Sequence, residues 1–243
     1  MNRVKAGIFS LTAPAPADMH AGGYLRWHLL DHMPEQYKLP GIVSGLRWIA
    51  DGDYPAHRIA ADGALGDIGN VVHYLVGDPV RETLDDFVEL GRALRENGRM
   101  PVMRPLLQIS GLRLLQWHSA PQALVCAEVV PFRPHRGVVL ILEEPTGERP
   151  DRWLQWLHTE HYPALLATPG TAGAWMFGSV LAPAPRGWRA EPHYVTVVYL
   201  DGDPLATTAA LAPLVEERWR SGAVRPLFAG PLRSMISWDA WPP

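Results

Sequence analysis

Three residues that can carry protons, Tyr24, His28 and His32, are spaced by four positions in a segment with helical character. Since residues four apart share one face of an α-helix, the three side chains should lie side by side. A neutral imidazole, whose pKa is ordinarily about 6.5, can both accept and release a proton near neutral pH. The spacing predicts general acid–base catalysis, with His32 as the main proton carrier and Tyr24 and His28 orienting it or the substrate.

The segment around His32 occurs twice. Residues 27–41 read WHLLDHMPEQYKLPG and residues 156–170 read WLHTEHYPALLATPG, which aligns His32 with His161 at an offset of 129. Two further pairs of blocks keep the same order at smaller offsets: YLVGDP (74–79) with YLDGDP (199–204), and Arg104-Pro105-Leu106 and Trp117 with Arg225-Pro226-Leu227 and Trp238. Chance matches would not keep their order over three blocks, so the chain duplicates a unit of about 110–120 residues.

The two copies differ in the polar residues that accompany the shared histidine. At the offset of 129, polar side chains of the first copy become apolar in the second: Tyr24 aligns with Trp153, His28 with Leu157, Glu35 with Ala164 and Gln36 with Leu165. The first copy is therefore polar enough for proton transfer. The second copy indicates an apolar pocket around the single imidazole of His161, and whether that histidine is also catalytic stays open.

Further residues are candidates for contact with a substrate. Trp27 and Trp156 begin the two repeated blocks, and Tyr74 lies on a predicted strand, so these three are expected to line the clefts. His73, on the same strand, faces either that cleft or the core. Most of the ten tryptophans are expected to pack in the core, where large aromatic side chains usually lie.

The sequence predicts neither a metal nor a nucleotide cofactor. The pair His28 and His32 has the spacing of two metal ligands on a helix, but no HExxH motif or third ligand accompanies it. There is also no GxGxxG after a strand, no Walker loop and no GxSxG. Cys126 is the only cysteine, which excludes an internal disulfide and a cysteine-based metal framework.

Each copy has the element order β-α-β-β-α-β, the order of a ferredoxin-like unit. A proline follows each shared histidine by two positions (Pro34 and Pro163) and predicts a kink that either opens a pocket or curves the helix over the sheet. Asp78 and Pro79 predict an N-cap and first residue of the second helix. The predicted strands are 4–11, 44–50, 71–76, 112–117, 137–142, 174–180, 194–200 and 234–238, and the predicted helices begin at about Met19, at Asp78-Pro79, at Asp151 and at Asp203-Pro204.

Several strands, such as 71–76 and 137–142, are apolar on both faces, so something must cover the second face of each sheet. The expected fold class is therefore α+β: two ferredoxin-like βαββαβ repeats packed sheet to sheet as a pseudo-dimeric α+β barrel. The first repeat spans residues 1–119 and the second 137–243, with 120–136 as a linker or an edge strand.

The overall composition is that of an ordinary folded protein. The chain has 243 residues, 47% of them hydrophobic, and a formal net charge of −3, with no basic cluster that would indicate nucleic acid. There is no long apolar run for a membrane span or a signal peptide, so a soluble cytoplasmic protein is expected. The duplication makes the chain a pseudo-dimer, to which a further homodimer contact can be added.

The pattern W-x(3)-[DE]-H-x-P, followed by Pro-Gly and a strand within βαββαβ, resembles the dimeric α+β barrel superfamily and most closely its EthD-like branch, here as a tandem fused repeat. The resemblance implies that His32 and His161 face clefts between the helices and the sheet. The superfamily includes cofactor-free monooxygenases, isomerases, cyclases, dehydratases and lyases, and also haem enzymes.

Together these observations support three hypotheses. The first is a small cofactor-independent enzyme (a cyclase, dehydratase, isomerase or lyase) that acts through His32 on a hydrophobic carbonyl or phenolic compound. The second is an oxygenase of an aromatic compound, either cofactor-free or with haem bound by His28, His32 or His161. The third is a non-catalytic protein that binds a hydrophobic ligand.

Overall fold

The computed structural model describes residues 2–13, 23–100, 106–147, 151–181 and 184–235. The chain forms two compact units, each built from three stretches of sequence. The first unit consists of Met1–Arg47, Asp67–Arg113 and Val180–Ala190, and the second of Trp48–Gly66, Leu114–Ser179 and Glu191–Pro243. The predicted strand at 4–11 and helices at 78–79, 151 and 203 all have counterparts, whereas the predicted helix start at Met19 lies outside the described residues.

The sheet of the first unit has the strand order of a ferredoxin-like fold. Its strands are β1 (Ala6–Thr12), β2 (Ile42–Ile49), β4 (Asn70–Val76) and β5 (Leu106–Ser119), although the last two residues of β2 and the last six of β5 fall in the second unit. The order across the sheet is β2-β4-β1-β5, and β1 pairs antiparallel with both β4 and β5. Strand β4 is buried along its whole length, on both faces, as its continuous apolar run predicts.

The second unit repeats this arrangement. Its strands are β6 (Gly137–Pro145), β7 (Thr171–Val180), β8 (Tyr194–Leu200) and β9 (Val224–Ser234), in the order β7-β8-β6-β9. The short strand β3 (Ala60–Ala61) pairs antiparallel with β9. In both units the strand order is second, third, first, fourth, so the ferredoxin-like βαββαβ prediction is confirmed for each copy.

Each unit has two helical regions. In the first unit, α1 (Tyr24–Trp27) and α2 (Met33–Tyr37) flank a π-helical turn, and α3 (Val80–Glu96) follows β4. In the second unit, α4 (Asp151–Trp156) and α5 (Tyr162–Leu166) flank another π-helical turn, and α6 (Pro204–Glu217) follows β8. One apolar core lies between the first sheet and its helices, with Ile8, Met33, Val72, Tyr74 and Leu84 among its buried members.

The two π-helical turns are His28–His32 and Leu157–His161, which correspond at the repeat offset of 129. Each turn ends at the shared histidine, one residue before the second helix of the region. Proline inside a helix removes one backbone donor and displaces the carbonyl of the preceding turn, and a π turn accommodates that loss. The predicted irregularity at Pro34 and Pro163 is therefore a π turn in both copies.

Two predictions of local structure need correction. Asp203 caps its helix through a hydrogen bond from the Ala206 N–H, but Asp78 caps nothing, because Pro79, with an extended backbone, is itself the N-cap. The last strand is Val224–Ser234 rather than 234–238, of which 236–238 lie outside the described residues. Pro226 and Pro231 obscured that strand, because proline is uncommon inside sheets.

Two connecting segments take defined conformations. Residues 120–136 form two 3₁₀ turns, Pro121–Ala123 and Ala127–Phe132. The long segment 51–70 contains the 3₁₀ turns Tyr54–His57 and Gly63–Asp67, and between them β3. Within the described part of the chain, no helix is both long and apolar enough to cross a membrane.

Candidate functional site

The π turn of the first unit brings the three spaced residues together. The rings of Tyr24 and His28 have centroids 5.7 Å apart, and those of His28 and His32 are 5.2 Å apart. Tyr24 and His28 are buried, and His32 is half-buried. The predicted shared face therefore exists as a row of three polar rings.

Trp27 fixes the orientation of the His32 ring. The two rings stack with centroids 4.9 Å apart and planes at 26°. The indole N–H of Trp27 donates a 3.0 Å hydrogen bond to the carbonyl of Arg99. The Arg99 guanidinium in turn donates to Asp31 and Glu35, at 2.9 and 2.6 Å. Asp31 thus serves in a surface ion-pair network and does not orient the imidazole directly.

Gln36 is the direct partner of the His32 ring. Its side chain is completely buried, and its amide nitrogen lies 3.3 Å from Nε2 of His32. With the amide N–H donating, Nε2 is the acceptor and the ring proton is on Nδ1. Nδ1 of His32 is buried without a hydrogen-bond partner, as is Oε1 of Gln36. The imidazole therefore has one nitrogen held by the protein and one unused.

His32 is neutral at physiological pH. Burial lowers its pKa from the usual 6.5 to about 4; nearby Asp31 and Glu35 raise it, and Arg47 and Arg99 lower it. A neutral imidazole at this depth acts as a hydrogen-bond donor or as a proton acceptor, but is not a standing cation. Unused buried polar atoms and a displaced pKa are both typical of functional sites.

Arg47 belongs to the same cluster, although the sequence analysis did not single it out. Its side chain is only 7% exposed, and its guanidinium lies over the Tyr24 ring, 5.2 Å from the centroid. None of its three nitrogens is engaged in a well-aligned hydrogen bond. Burial lowers the Arg47 pKa, while Tyr24 and Tyr74 raise it, and arginine remains charged. A lone charged residue in the apolar segment IVSGLRWIA was the available signal.

Tyr74 and His73 lie on opposite faces of β4. Tyr74 packs with the helix-side core and against Phe87, with ring centroids 5.3 Å apart, and burial raises its pKa. His73 stacks on Phe9, with centroids 4.0 Å apart, and its Nδ1 lies 3.2 Å from the carbonyl oxygen of Ile8. Burial lowers the His73 pKa to about 3. The structure therefore groups Tyr74, but not His73, with the polar rings.

His161 of the second unit has a different environment. It is 2% exposed, lies 4.9 Å from the Trp156 ring and 5.9 Å from the Tyr162 ring by centroid, and neither ring nitrogen has a hydrogen-bond partner. Burial, with the charge of Arg218, lowers its pKa to about 3. The aligned residues Trp153, Leu157 and Leu165 are buried and belong to the apolar core of this unit.

The second unit also contains a buried arginine, but one with its own counter-ion. Arg218 and Glu143 are both inaccessible and joined by two hydrogen bonds, of 2.9 and 2.6 Å. Trp219 also donates to Glu143, at 2.8 Å. The Arg218 guanidinium lies 5.6 Å from the centroid of the Trp153 ring, and Trp153 is the residue aligned with Tyr24.

The described residues do not favour a metal or haem site. They contain no group of three or more His, Cys, Asp or Glu side chains able to hold a metal ion. A histidine that ligates a metal generally donates its other ring N–H to a carboxylate or carbonyl. Neither nitrogen of His161 has such a contact, and the partner of His32 is an amide N–H donor. No chemical step is therefore derived through haem.

Comparison with known proteins shows the fold. No protein-family model matches the chain, and no curated protein is similar in sequence. The chain is similar to an anthrone oxidase-like protein, with a TM-score of 0.59 and 11% identity over 97% of this chain and 94% of that one. It is also similar to a protein provisionally assigned as a chlorite dismutase (TM-score 0.58, 13% identity, 97% of each chain).

A third solved structure with this fold is a provisionally assigned monooxygenase from Fusobacterium nucleatum, with a TM-score of 0.51, 6% identity, and coverage of 97% of this chain and 94% of that one. At such identities the likeness concerns the fold and transfers no activity. The α+β class and the dimeric α+β barrel fold expected from the sequence are confirmed.

Proposed function

We propose that the first repeat is the active site of a small enzyme that acts on a hydrophobic carbonyl or phenolic compound, with His32 as its proton carrier. The observation that supports this most strongly is the set of unused polar atoms around the first π turn: Nδ1 of His32, Oε1 of Gln36, the Tyr74 hydroxyl and the Arg47 nitrogens. Buried polar groups normally have partners, and a substrate supplies them here.

The chemistry follows from the state of the imidazole. Gln36 holds Nε2, so Nδ1 presents its proton to a substrate oxygen and donates it as negative charge develops there. The imidazolate that remains lies near the Arg47 cation and takes the proton back when the product forms. Burial keeps the His32 ring neutral in the free protein. Substrate binding therefore does not have to remove water from a charged imidazolium, which would cost free energy. Trp27 prevents the ring from rotating, and Tyr24 and His28 contribute two further polar rings beside the substrate.

The decisive experiment compares histidine variants on a panel of hydrophobic phenols, quinols and carbonyl compounds, assayed by product formation. His32→Ala should lower kcat/KM by about 100-fold or more, as expected for loss of a proton-transfer group. His57→Ala, at an exposed position, is the matched control and should keep full activity. Full activity in His32→Ala, with circular dichroism showing a folded protein, would refute the proposal.

His161→Ala reports on the second repeat. If the second repeat is also catalytic, His161→Ala lowers the measured rate, and His32→Ala retains part of the wild-type rate. Loss of all activity in His161→Ala alone would move the active site to the second repeat and contradict the assignment to His32. The EthD-like assignment is kept as part of this proposal, because the structural comparisons support only the wider fold.

Oxygenation of an electron-rich aromatic compound is the second candidate function, favoured by the likeness to an anthrone oxidase-like protein and a provisionally assigned monooxygenase. Oxygen uptake with an anthrone or quinol, without added cofactor, would support it. A Soret band on titration with haem, lost in His28→Ala, His32→Ala or His161→Ala, would instead indicate a haem protein. Tight ligand binding that His32→Ala does not change, without any product, would indicate a binding protein.

A further inference from the structure

The guanidinium of Arg47 is a buried cation without a counter-ion in the described part of the chain. Its side chain is 7% exposed, and apart from a contact with the Tyr24 hydroxyl its three nitrogens make no well-aligned hydrogen bond to the described residues. The groups beside it are the ring and hydroxyl of Tyr24 and the hydroxyl of Tyr74, none of which is a carboxylate. An isolated buried charge is costly, so folded proteins normally pair such a group with an opposite charge.

The second repeat shows what pairs with a guanidinium in the equivalent surroundings. Arg218 lies over Trp153, as Arg47 lies over the aligned Tyr24, and the carboxylate of Glu143 neutralises it through two hydrogen bonds. The position aligned with Arg47 is Met176, a fully buried apolar residue. The second repeat thus contains a carboxylate beside its arginine, whereas the described residues of the first repeat place no carboxylate beside Arg47.

We infer that Arg47 binds the carboxylate of a hydrophobic substrate. This carboxylate would neutralise Arg47 as the carboxylate of Glu143 neutralises Arg218. A planar guanidinium presents parallel donors that match the two oxygens of a carboxylate. The inference rests on the proposed function, because it places this substrate group at the His32 cluster. The substrate class is consequently narrowed to aromatic or other apolar carboxylic acids.

The neighbouring groups fit such a ligand. The Tyr74 hydroxyl is buried without a partner and close enough to Arg47 to affect its pKa, so it can donate to the same carboxylate. The Trp27 and Tyr24 rings offer apolar surface for the remainder of the molecule. Nδ1 of His32 stays available for an oxygen at the reacting end of the substrate.

The test measures binding, independently of turnover, by calorimetry with 2-naphthoate and its neutral isostere 2-naphthamide. Wild-type protein should bind naphthoate more tightly than the amide. Arg47→Met should weaken naphthoate binding by about 10- to 100-fold, the usual effect of losing hydrogen bonds to a charged group, and leave the amide unchanged. Arg47→Lys, which keeps the charge, should retain part of the affinity.

Arg92→Gln is the matched control, because it removes one positive charge from an exposed position of the same unit. It should leave naphthoate binding unchanged. If Arg47→Met and Arg92→Gln have equal effects, or if naphthoate binds no better than the amide, the inference is wrong. If 2-naphthol binds as tightly as naphthoate and depends equally on Arg47, the site recognises a hydroxyl or phenolate and the carboxylate assignment fails.

A second measurement does not depend on the shape of the probe. Formate, the smallest carboxylate, should raise the melting temperature of the wild-type protein more than chloride does at equal ionic strength, and this difference should vanish in Arg47→Met. Arg47→Met should itself fold, because it introduces the residue present in the second repeat. The same formate effect in both proteins would contradict the inference.

These outcomes separate the inference from the proposed function. His32→Ala should leave naphthoate binding within about threefold of wild type, since its role is proton transfer and not recognition of the anion. Arg47-dependent binding together with full turnover in His32→Ala would refute the proposed function alone. Loss of turnover in His32→Ala together with Arg47-independent binding would refute the inference alone.

Discussion

Arg47 lowers the pKa of His32, so the cation and the imidazole of the first repeat are electrostatically coupled. The burial that desolvates His32 is the larger cause, and it keeps solvent from screening the charge of Arg47. In the second repeat Arg218 acts in the same direction on His161. Both repeats thus hold a neutral histidine near a guanidinium, and among the described residues a carboxylate pairs with Arg218 but not with Arg47.

The coupling predicts opposite changes in the His32 pKa for two substitutions. Arg47→Met removes a nearby positive charge without adding solvent, so the pKa should rise from about 4. Asp31→Asn removes a negative charge that favours the imidazolium, so the pKa should fall. Histidine ring signals followed by NMR during a pH titration measure both changes. Equal His32 pKa values in the wild type and the two variants would show that the charges of Arg47 and Asp31 do not affect the protonation of His32.

A bound carboxylate should raise the pKa of His32, as Arg47→Met should. The anion offsets the charge of Arg47, which makes protonation of the imidazole less unfavourable. The His32 pKa measured with saturating 2-naphthoate should therefore be higher than in the free protein, and 2-naphthamide should not change it. In Arg47→Met, added naphthoate should leave the pKa where the substitution has already placed it.

The fold was predictable from sequence to a large extent, since it depends on periodicity and repetition. The blocks around His32 and His161 and the apolar runs of β4 and β8 were sufficient to assign two ferredoxin-like units with the observed order of elements along the chain. Strand β9 was misplaced because Pro226 and Pro231 obscure its pattern. The helix at Asp78 begins one residue later than expected, because Pro79 is its N-cap.

The candidate site was predictable only along one helix. Spacing by four placed Tyr24, His28 and His32 on one face, but spacing carries no information about which strand residue packs over that face. Arg47 comes from β2, and its proximity to Tyr24 depends on tertiary packing. The role of Gln36 likewise required coordinates, because its contact with His32 depends on a side-chain rotamer.

The Arg218–Glu143 pair should be essential to the stability of the second unit. Glu143→Gln leaves an uncompensated cation in a fully buried position, and breaking such a pair typically costs about 3–5 kcal/mol. Asp85→Asn, which breaks the exposed pair with Arg81, is the control and should cost at most about 0.5 kcal/mol. Urea unfolding followed by tryptophan fluorescence gives both values. Similar costs for the two variants would show that Glu143 does not neutralise Arg218.

Gln36→Leu tests the positioning of the proton carrier. Leucine is the residue at the aligned position of the second repeat, so the change should be accommodated in the fold. It removes the hydrogen bond that keeps the His32 proton on Nδ1, and kcat should fall about tenfold, in line with the worth of one hydrogen bond. KM should change less than kcat. A purely structural role for Gln36 would leave the distribution of the proton between Nδ1 and Nε2, read from ring nitrogen shifts, unaltered.

The buried neutral histidines should make the protein less stable in acid. The pKa values of His73 and His161 are lowered by burial to about 3, and those of His32 and His118, also chiefly by burial, to about 4. In the unfolded chain these groups bind protons below about pH 6.5, whereas the native protein does not until near pH 4 or 3. The unfolded state therefore binds more protons in this range, and the free energy of unfolding must decrease as pH falls from about 6.5 towards 3.

His161→Leu isolates one of these contributions. Because neither ring nitrogen of His161 has a partner, leucine removes a titrating group without breaking a hydrogen bond. Urea unfolding measured between pH 7 and pH 4 should show that His161→Leu loses less stability than the wild type as the pH falls. The two slopes should differ by about 1.4 kcal/mol per pH unit where unfolding of the wild type takes up one more proton than unfolding of the variant. Val129→Ala, at an exposed position, removes no titrating group and should keep the wild-type slope. If His161→Leu has the wild-type slope as well, His161 is not held neutral by the fold.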